Sequence, residues 1–241
     1  MSCKNSFLIA TNRQYSTHAK VIVDQLESYG ALDDGEIVIC SPDSIEDARA
    51  RYVQDKENLN GNRAFNEGAS KSVGEYIYIL CDDHFVPSNI VDGDKFLNSS
   101  PFAERKHKIA TMASGGTCHI GPIPGLEETN FLPLAVMCRF PFLDRKTYVE
   151  GLESHIFHPE FNICSHFADN YLSYFLWFVG EPAIEDPSIR LSEMPVTDQF
   201  DDGSVEPYGG PDKRYPTGYL DSLEVYTNLC KKLEGNPRHV C

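Results

Sequence analysis

The eight cysteines, at positions 3, 40, 81, 118, 138, 164, 230 and 241, include no CxxC pair and no zinc-finger spacing. That excludes the usual structural zinc frameworks and leaves reduced thiols, as expected of a cytoplasmic chain. Long hydrophobic runs are also missing. The most apolar stretch, "YLSYFLWFVG", is interrupted by Ser173 and ends at Gly180, well short of the roughly 20 residues that span a bilayer. The start after Met1 is polar and has no signal-type apolar core, so no membrane span is expected. Basic residues are few, 21 against 36 acidic ones, for a formal charge of −15. This disfavours a nucleic-acid partner, which would need phosphates neutralised. There is neither an internal repeat nor a strong linker, and 241 residues suffice for one domain with its own core.

What is present alternates between two periods. "FLIA" near the start is a short apolar run. "STHAKVIVDQLESYG" follows, with Ala19, Ile22, Val23 and Leu26 at helical spacing and Ser16 or Thr17 placed to cap. "EIVIC" is a second buried strand. "SPDSIEDARARYV" carries Ser44 three residues before Asp47, a capping-box variant that predicts a helix. "NRAFNEGASKSVG" reads as a weaker helix and "EYIYILC" as a third strand. Strands apolar on both sides, alternating with helices, predict an α/β fold with a mostly parallel central sheet and helices on both faces.

Beyond Pro87, "KIATMA" and "PLAVMCRF" read as strands, "FLDRKTYVEGL" and "ADNYLSYFLWFVG" as helices, "SIRLSE" as a strand and "YLDSLEVYTNLCKKLEG" as a last helix. Two loops rich in Gly and Pro, "GGTCHIGPIPGLEETN" and the stretch from Asp198 to Thr217, have the composition of segments that line or cover a site.

The third strand ends abruptly in "CDDH". In a parallel sheet, ligands gather at the carboxyl ends of strands, and Asp82 and Asp83 stand there. Adjacent carboxylates about 4 Å apart repel by about 4 kcal/mol at an effective dielectric of 20, so the pair favours a bound cation. A hard divalent ion with open positions would then take diphosphate oxygens. The plainer reading is a solvated turn, and for His84 a surface imidazole.

The approach to this pair is specific. "NEGASKSVGEYIYILCDD" sets Asn66, Gly68, Gly74, Glu75, Tyr76 and Ile77 at the spacing N-x-G-x5-G-E-Y-I before the acids. This resembles the nucleotide-sugar half of GT-A fold glycosyltransferases, family 2 in particular, and the likeness runs from Phe7 to Pro87. "FLIATNRQ" resembles that family's first strand and following turn, and "EIVICSPDS" its second strand, with Asp43 displaced from the usual acidic turn. Cys81 replaces the first acid of the family's D-x-D. Later, "ADNYLSYFLWFVG" resembles the E-D-x-x-L motif, with Ala168 in place of the first acid and Asp169 at the catalytic position.

The resemblance implies one GT-A domain over 1–241, with a nucleotide-sugar half at 1–87 and an acceptor half at 88–241. It implies transfer of a sugar from a nucleoside-diphosphate sugar to a glycan, lipid-linked or protein hydroxyl, aided by Mn2+ or Mg2+. Thr11, Asn12, Arg13, Asp43, Arg63 and Asp82 would bind the donor, and Asp83 the metal. In a D-x-H register His84 would be a second ligand. Asp169 would be the base of an inverting reaction, although an N-cap role explains it as well. Two other classes stay open: a silent nucleotide-sugar-binding domain, and a sugar nucleotidyltransferase, whose Gly-rich phosphate loop "TNRQYSTH" does not provide.

Overall fold

A computed structural model describes residues 3–11, 18–55, 61–114, 136–162, 167–194 and 219–235. Asn12, Arg13, the caps at Ser16 or Thr17 and both Gly/Pro-rich loops lie outside the described residues, as do the first three residues of "PLAVMCRF".

The first apolar run is strand β1 (Asn5–Ala10). Helix α1 (Ala19–Ser28), β2 (Glu36–Ser41), β3 (Ala50–Gln54), α2 (Gly61–Lys71), β4 (Tyr76–Cys81) and the two-residue β5 (His84–Phe85) follow. A short α3 (Gly93–Leu97) precedes β6 (Ile109–Ser114), β7 (Pro141–Asp144), α4 (Ala168–Phe178), β8 (Ile184–Glu193) and α5 (Tyr219–Glu234). The eight strands form one sheet in the order β3-β2-β1-β4-β7-β6-β8-β5. The first four are parallel to one another, β7 runs antiparallel to β4 and β6, β8 is parallel to β6, and β5 is antiparallel to β8.

Alternation along the strands decides which helix covers which face. Leu8, Val38, Cys40, Ile77 and Ile79 point to the face packed by Ala64, Phe65 and Ala69 of α2, Leu172 and Leu176 of α4, and Tyr226 and Leu229 of α5. Phe7, Ile9, Ile37, Ile39 and Leu80 point the other way, onto Ala19, Ile22, Val23 and Leu26 of α1. On this second face Tyr78 stacks between Phe7, at 4.9 Å, and Phe142, at 5.5 Å and within 1° of parallel. Both are its strand-pair partners. Such aromatic pairs contribute about 0.5–1.5 kcal/mol each beyond their buried area, and this ladder crosses the junction where parallel pairing gives way to antiparallel.

Three expectations need correction. The helix expected from "SPDSIEDARARYV" is an irregular turn leading into β3. Asp47 Oδ1 accepts from the Arg49 amide at 3.0 Å and from its Nε at 2.9 Å, so the capping-box residue shapes a turn. The strand expected at 133–140 forms from Pro141, because it is Phe142 that pairs with Tyr78. The helix expected from 142 consequently shrinks to a turn at 145–151, with a π-helical stretch at Thr147–Gly151. Among the described residues no helix is long and apolar enough to cross a membrane.

Candidate functional site

Parallel strands β1, β2, β3 and β4 finish at one edge, so the residues that follow them are neighbours whatever their separation in sequence. Thr11 continues β1 there, its amide bonded to Cys40 O at 2.9 Å, and Asp55 continues β3 with its amide on Ser41 O at 2.9 Å. Buried Thr11 Oγ1 donates to Asp82 Oδ2 at 2.6 Å, linking the ends of β1 and β4. Asp43 is exposed on the turn after β2, its amide on Ser41 Oγ at 3.2 Å. Arg63, in the first turn of α2, meets the buried Asp55 at 3.2 Å. The guanidinium expected to reach a phosphate is thus tethered at the end of β3.

The acid pair divides into two environments. Asp82 is buried and held by Thr11, whereas the Asp83 side chain is 28% exposed. His84 turns inward: its Nδ1 lies 2.5 Å from Asp83 Oδ1, and its ring is tilted against Phe140 at 4.8 Å. Nε2 is buried with no hydrogen-bond partner among the described residues. His84, expected as a second ligand, thus has one nitrogen on Asp83 and the other buried. β5 pairs His84 with Glu193, and the Met194 amide bonds Asp83 O at 2.7 Å, so the acidic turn is pinned to the end of β8.

Burial drives the Cys81 thiol far above its ordinary range, Asp83, Asp82 and Asp169 push the same way, and Arg139 opposes them. Burial and the neighbouring carboxylates thus favour the neutral form of the Cys81 thiol. These charges also locate two groups. Asp169, roughly ninety residues away in sequence, lies within electrostatic range of the end of β4 and acts on Cys138 too. Arg139, with its guanidinium 5.1 Å from the Phe140 ring centroid, is a cation within electrostatic range of Cys81 that sequence patterning did not single out.

Asp169 is not the cap of α4. It lies in the helix's first turn, and the cap is Phe167, held in the left-handed region at φ 66° with no side-chain cap bond. An acid in the first turn is favoured by the helix dipole. Asp169 Oδ1 accepts from the Asn170 amide at 2.9 Å. Buried Ser173 Oγ donates to Asp169 O at 2.7 Å and accepts from the Cys138 amide at 2.7 Å. That bridge fixes the start of α4 to the segment carrying Arg139 and Phe140, and sequence patterning gave no sign of it.

Among the described residues, no three His, Cys, Asp or Glu side chains form a group that would hold a metal ion. A surface groove of about 490 Å³, lined by residues including Glu160, Glu224, Val225 and Lys232, contains none of the strand-end residues.

The glycines of the N-x-G-x5-G motif are explained by close approach. A Cβ on Gly68 would stand 2.6 Å from Cys40 Sγ, and one on Gly74 would stand 2.5 Å from Ser6 Oγ. The motif therefore sets how tightly α2 and its exit pack on the sheet.

No protein-family model matches the chain, and no curated protein matches it in sequence. Similar solved structures include those of S. aureus TarS, a GT-A-type glycosyltransferase. TarS 1–349 matches at 9% identity with a TM-score of 0.50, and TarS 1–349 in complex with UDP at 10% and 0.53. Each match covers 79% of this chain and 60% of that one. A longer TarS structure matches at 10% and 0.55, over 79% of this chain and 36% of that one. This chain thus spans less than two thirds of the length of the structures it resembles. The strand order, the acidic turn after β4 and these likenesses together identify the fold as GT-A.

Proposed function

We propose that the chain is a glycosyltransferase that moves a sugar from a nucleoside-diphosphate sugar to an acceptor hydroxyl. The observation that carries this reading is the acidic turn Asp82–Asp83 at the ligand-binding edge of a GT-A sheet, with Asp169 brought within electrostatic range of it. A TarS structure in complex with UDP supports a nucleotide-sugar ligand of this class.

In this reading Thr11, Asp43, Arg63 and Asp82 shape the donor cleft, with Asn12 and Arg13 on the adjoining turn. Asp83 offers a partly exposed hard carboxylate, and among the described residues it belongs to no group of three His, Cys, Asp or Glu side chains that would hold a metal ion. Asp83, with Asp82 beside it, would hold Mn2+ or Mg2+ through carboxylate oxygens. A divalent ion bound there supplies charge neutralisation for the leaving diphosphate. His84 orients Asp83 through the 2.5 Å contact, and Arg139 adds fixed positive charge where the diphosphate leaves. Asp169 takes the proton of the attacking hydroxyl as the anomeric carbon inverts. The acceptor is a glycan, a lipid-linked sugar or a protein side chain, and the chain acts in the cytoplasm.

A second reading, a nucleotide-sugar-binding domain without catalysis, is favoured by Cys81, which stands where the family carries an acid. The two separate on turnover. With UDP-glucose, UDP-galactose and their N-acetylhexosamine counterparts plus Mn2+, the enzyme releases free UDP, and Asp169→Asn lowers the rate about 10²–10⁴-fold with UDP affinity unchanged. UDP binding without release from any donor supports the silent domain instead.

A further inference from the structure

Asn66 stands in the middle of α2, where asparagine is a poor helix former, and its side chain is buried. Its Nδ2 donates to Phe157 O at 2.8 Å and to Asn162 Oδ1 at 2.9 Å, while its Oδ1 accepts from the Phe157 amide at 3.1 Å. One amide thereby satisfies both backbone groups of Phe157, as a neighbouring strand would, and takes up three of its four hydrogen-bond sites. The contact spans 91 residues of sequence.

The segment so held lies between two helices with different duties. On one side it meets α2, where Phe157 packs on Phe65 at 6.2 Å. α2 itself is seated on the strands of the donor edge by Gly68 against Cys40. On the other side His158 and the fully buried Phe161 reach Tyr171 of α4, at 5.4 Å and 5.9 Å. Tyr171 lies two residues beyond Asp169, and its amide bonds Phe167 O at 2.9 Å. Apolar packing alone would hold this segment close but let it slide. A two-way amide bond to one residue's N–H and C=O sets its register, which is what a reacting group held to about half an ångström requires of its support.

We propose that Asn66 is a positioning residue: by fixing Phe157 and Asn162 to α2, it sets the placement of α4, and with it Asp169, relative to the donor edge. The proposal rests on the transferase reading above.

The test compares wild type, Asn66→Ala and Asn162→Ala, the last removing one of the three bonds. UDP affinity is measured by calorimetry with Mn2+, turnover as UDP release from the four UDP-sugars, and folding by near-UV circular dichroism and amide exchange at Phe157. Asn66→Ala is expected to lower kcat tenfold or more with UDP affinity within twofold of wild type and faster exchange at Phe157. Asn162→Ala is expected to move kcat in the same direction by a smaller factor, and it carries the test if Asn66→Ala does not fold. Equal losses of kcat and UDP affinity, or unchanged kcat in a variant whose Phe157 amide has lost protection, would overturn the positioning role alone. A wild type that releases UDP from none of the donors, whether or not it binds UDP, would remove the transferase reading and this role with it.

Discussion

Thr11→Val removes one hydroxyl from the donor edge while keeping the β-branched shape. The bond it deletes, Thr11 Oγ1 to Asp82 Oδ2 at 2.6 Å, joins groups that are 6% and 9% exposed. Water therefore cannot readily replace the lost donor. A hydrogen bond to a carboxylate contributes about 1.5–3 kcal/mol, so about 2 kcal/mol of destabilisation is expected. For a domain of this size each kcal/mol lowers Tm by about 2–4 °C, which gives a drop of about 4–8 °C. Thr11→Ser keeps the donor and deletes one methyl group, for about 1 kcal/mol or less. Scanning calorimetry of the three proteins at pH 7 should rank wild type above Ser and Ser above Val. A valine variant as stable as wild type would refute the claim that Thr11 stabilises the Asp82 carboxylate, and with it the division of labour between Asp82 and Asp83.

Gly68→Ala should destabilise by about 1–3 kcal/mol through overpacking, because the new methyl would stand 2.6 Å from Cys40 Sγ. Adding Cys40→Ala should recover much of that loss, and a purely additive double mutant in urea unfolding would contradict the contact. Glu181 is pushed up by burial, yet the Lys106 amide and the His107 side chain and amide, at 2.6, 2.5 and 2.8 Å, hold its carboxyl below the usual value. A depressed folded pKa contributes stability that is fully present above the unfolded value, about 4.3, and is lost as pH falls through the folded one. Glu181→Gln should therefore be less stable than wild type by about 1–3 kcal/mol at pH 7. The gap should close as pH falls below about 4, and a gap that widens on acidification would refute the assignment.

Strands β1, β2 and β4 were legible because each is buried on both faces and reads as a continuous apolar run. β3 was not. It is an edge strand with no fully buried residue, so its sequence keeps Arg51 and Gln54, and the Ser44 to Asp47 spacing before it suits a turn as well as a helix cap. β7 was misplaced by its start, since whether Phe140 or Phe142 pairs with Tyr78 depends on a register that no local pattern contains. At the site, Asp82 and Asp83 were legible because nothing apolar explains them at a strand end. The inward turn of His84 was not, because it depends on Phe140 and on β8, more than fifty residues further along. Arg139 and the bonding of Asn66 were hidden for the same reason. Their meaning lies in partners brought close by the sheet order.

The proposed role of Asp83 is to bind diphosphate through a divalent ion. Asp83→Asn is the sharpest probe, since it removes the charge and keeps an acceptor oxygen for His84 Nδ1. The first measurement is calorimetric titration of UDP into wild type and Asp83→Asn, with and without Mn2+. Binding that Mn2+ strengthens at least tenfold in wild type is expected, with that metal-dependent gain lost in Asp83→Asn. UDP affinity that is the same in both proteins and indifferent to Mn2+ would contradict it.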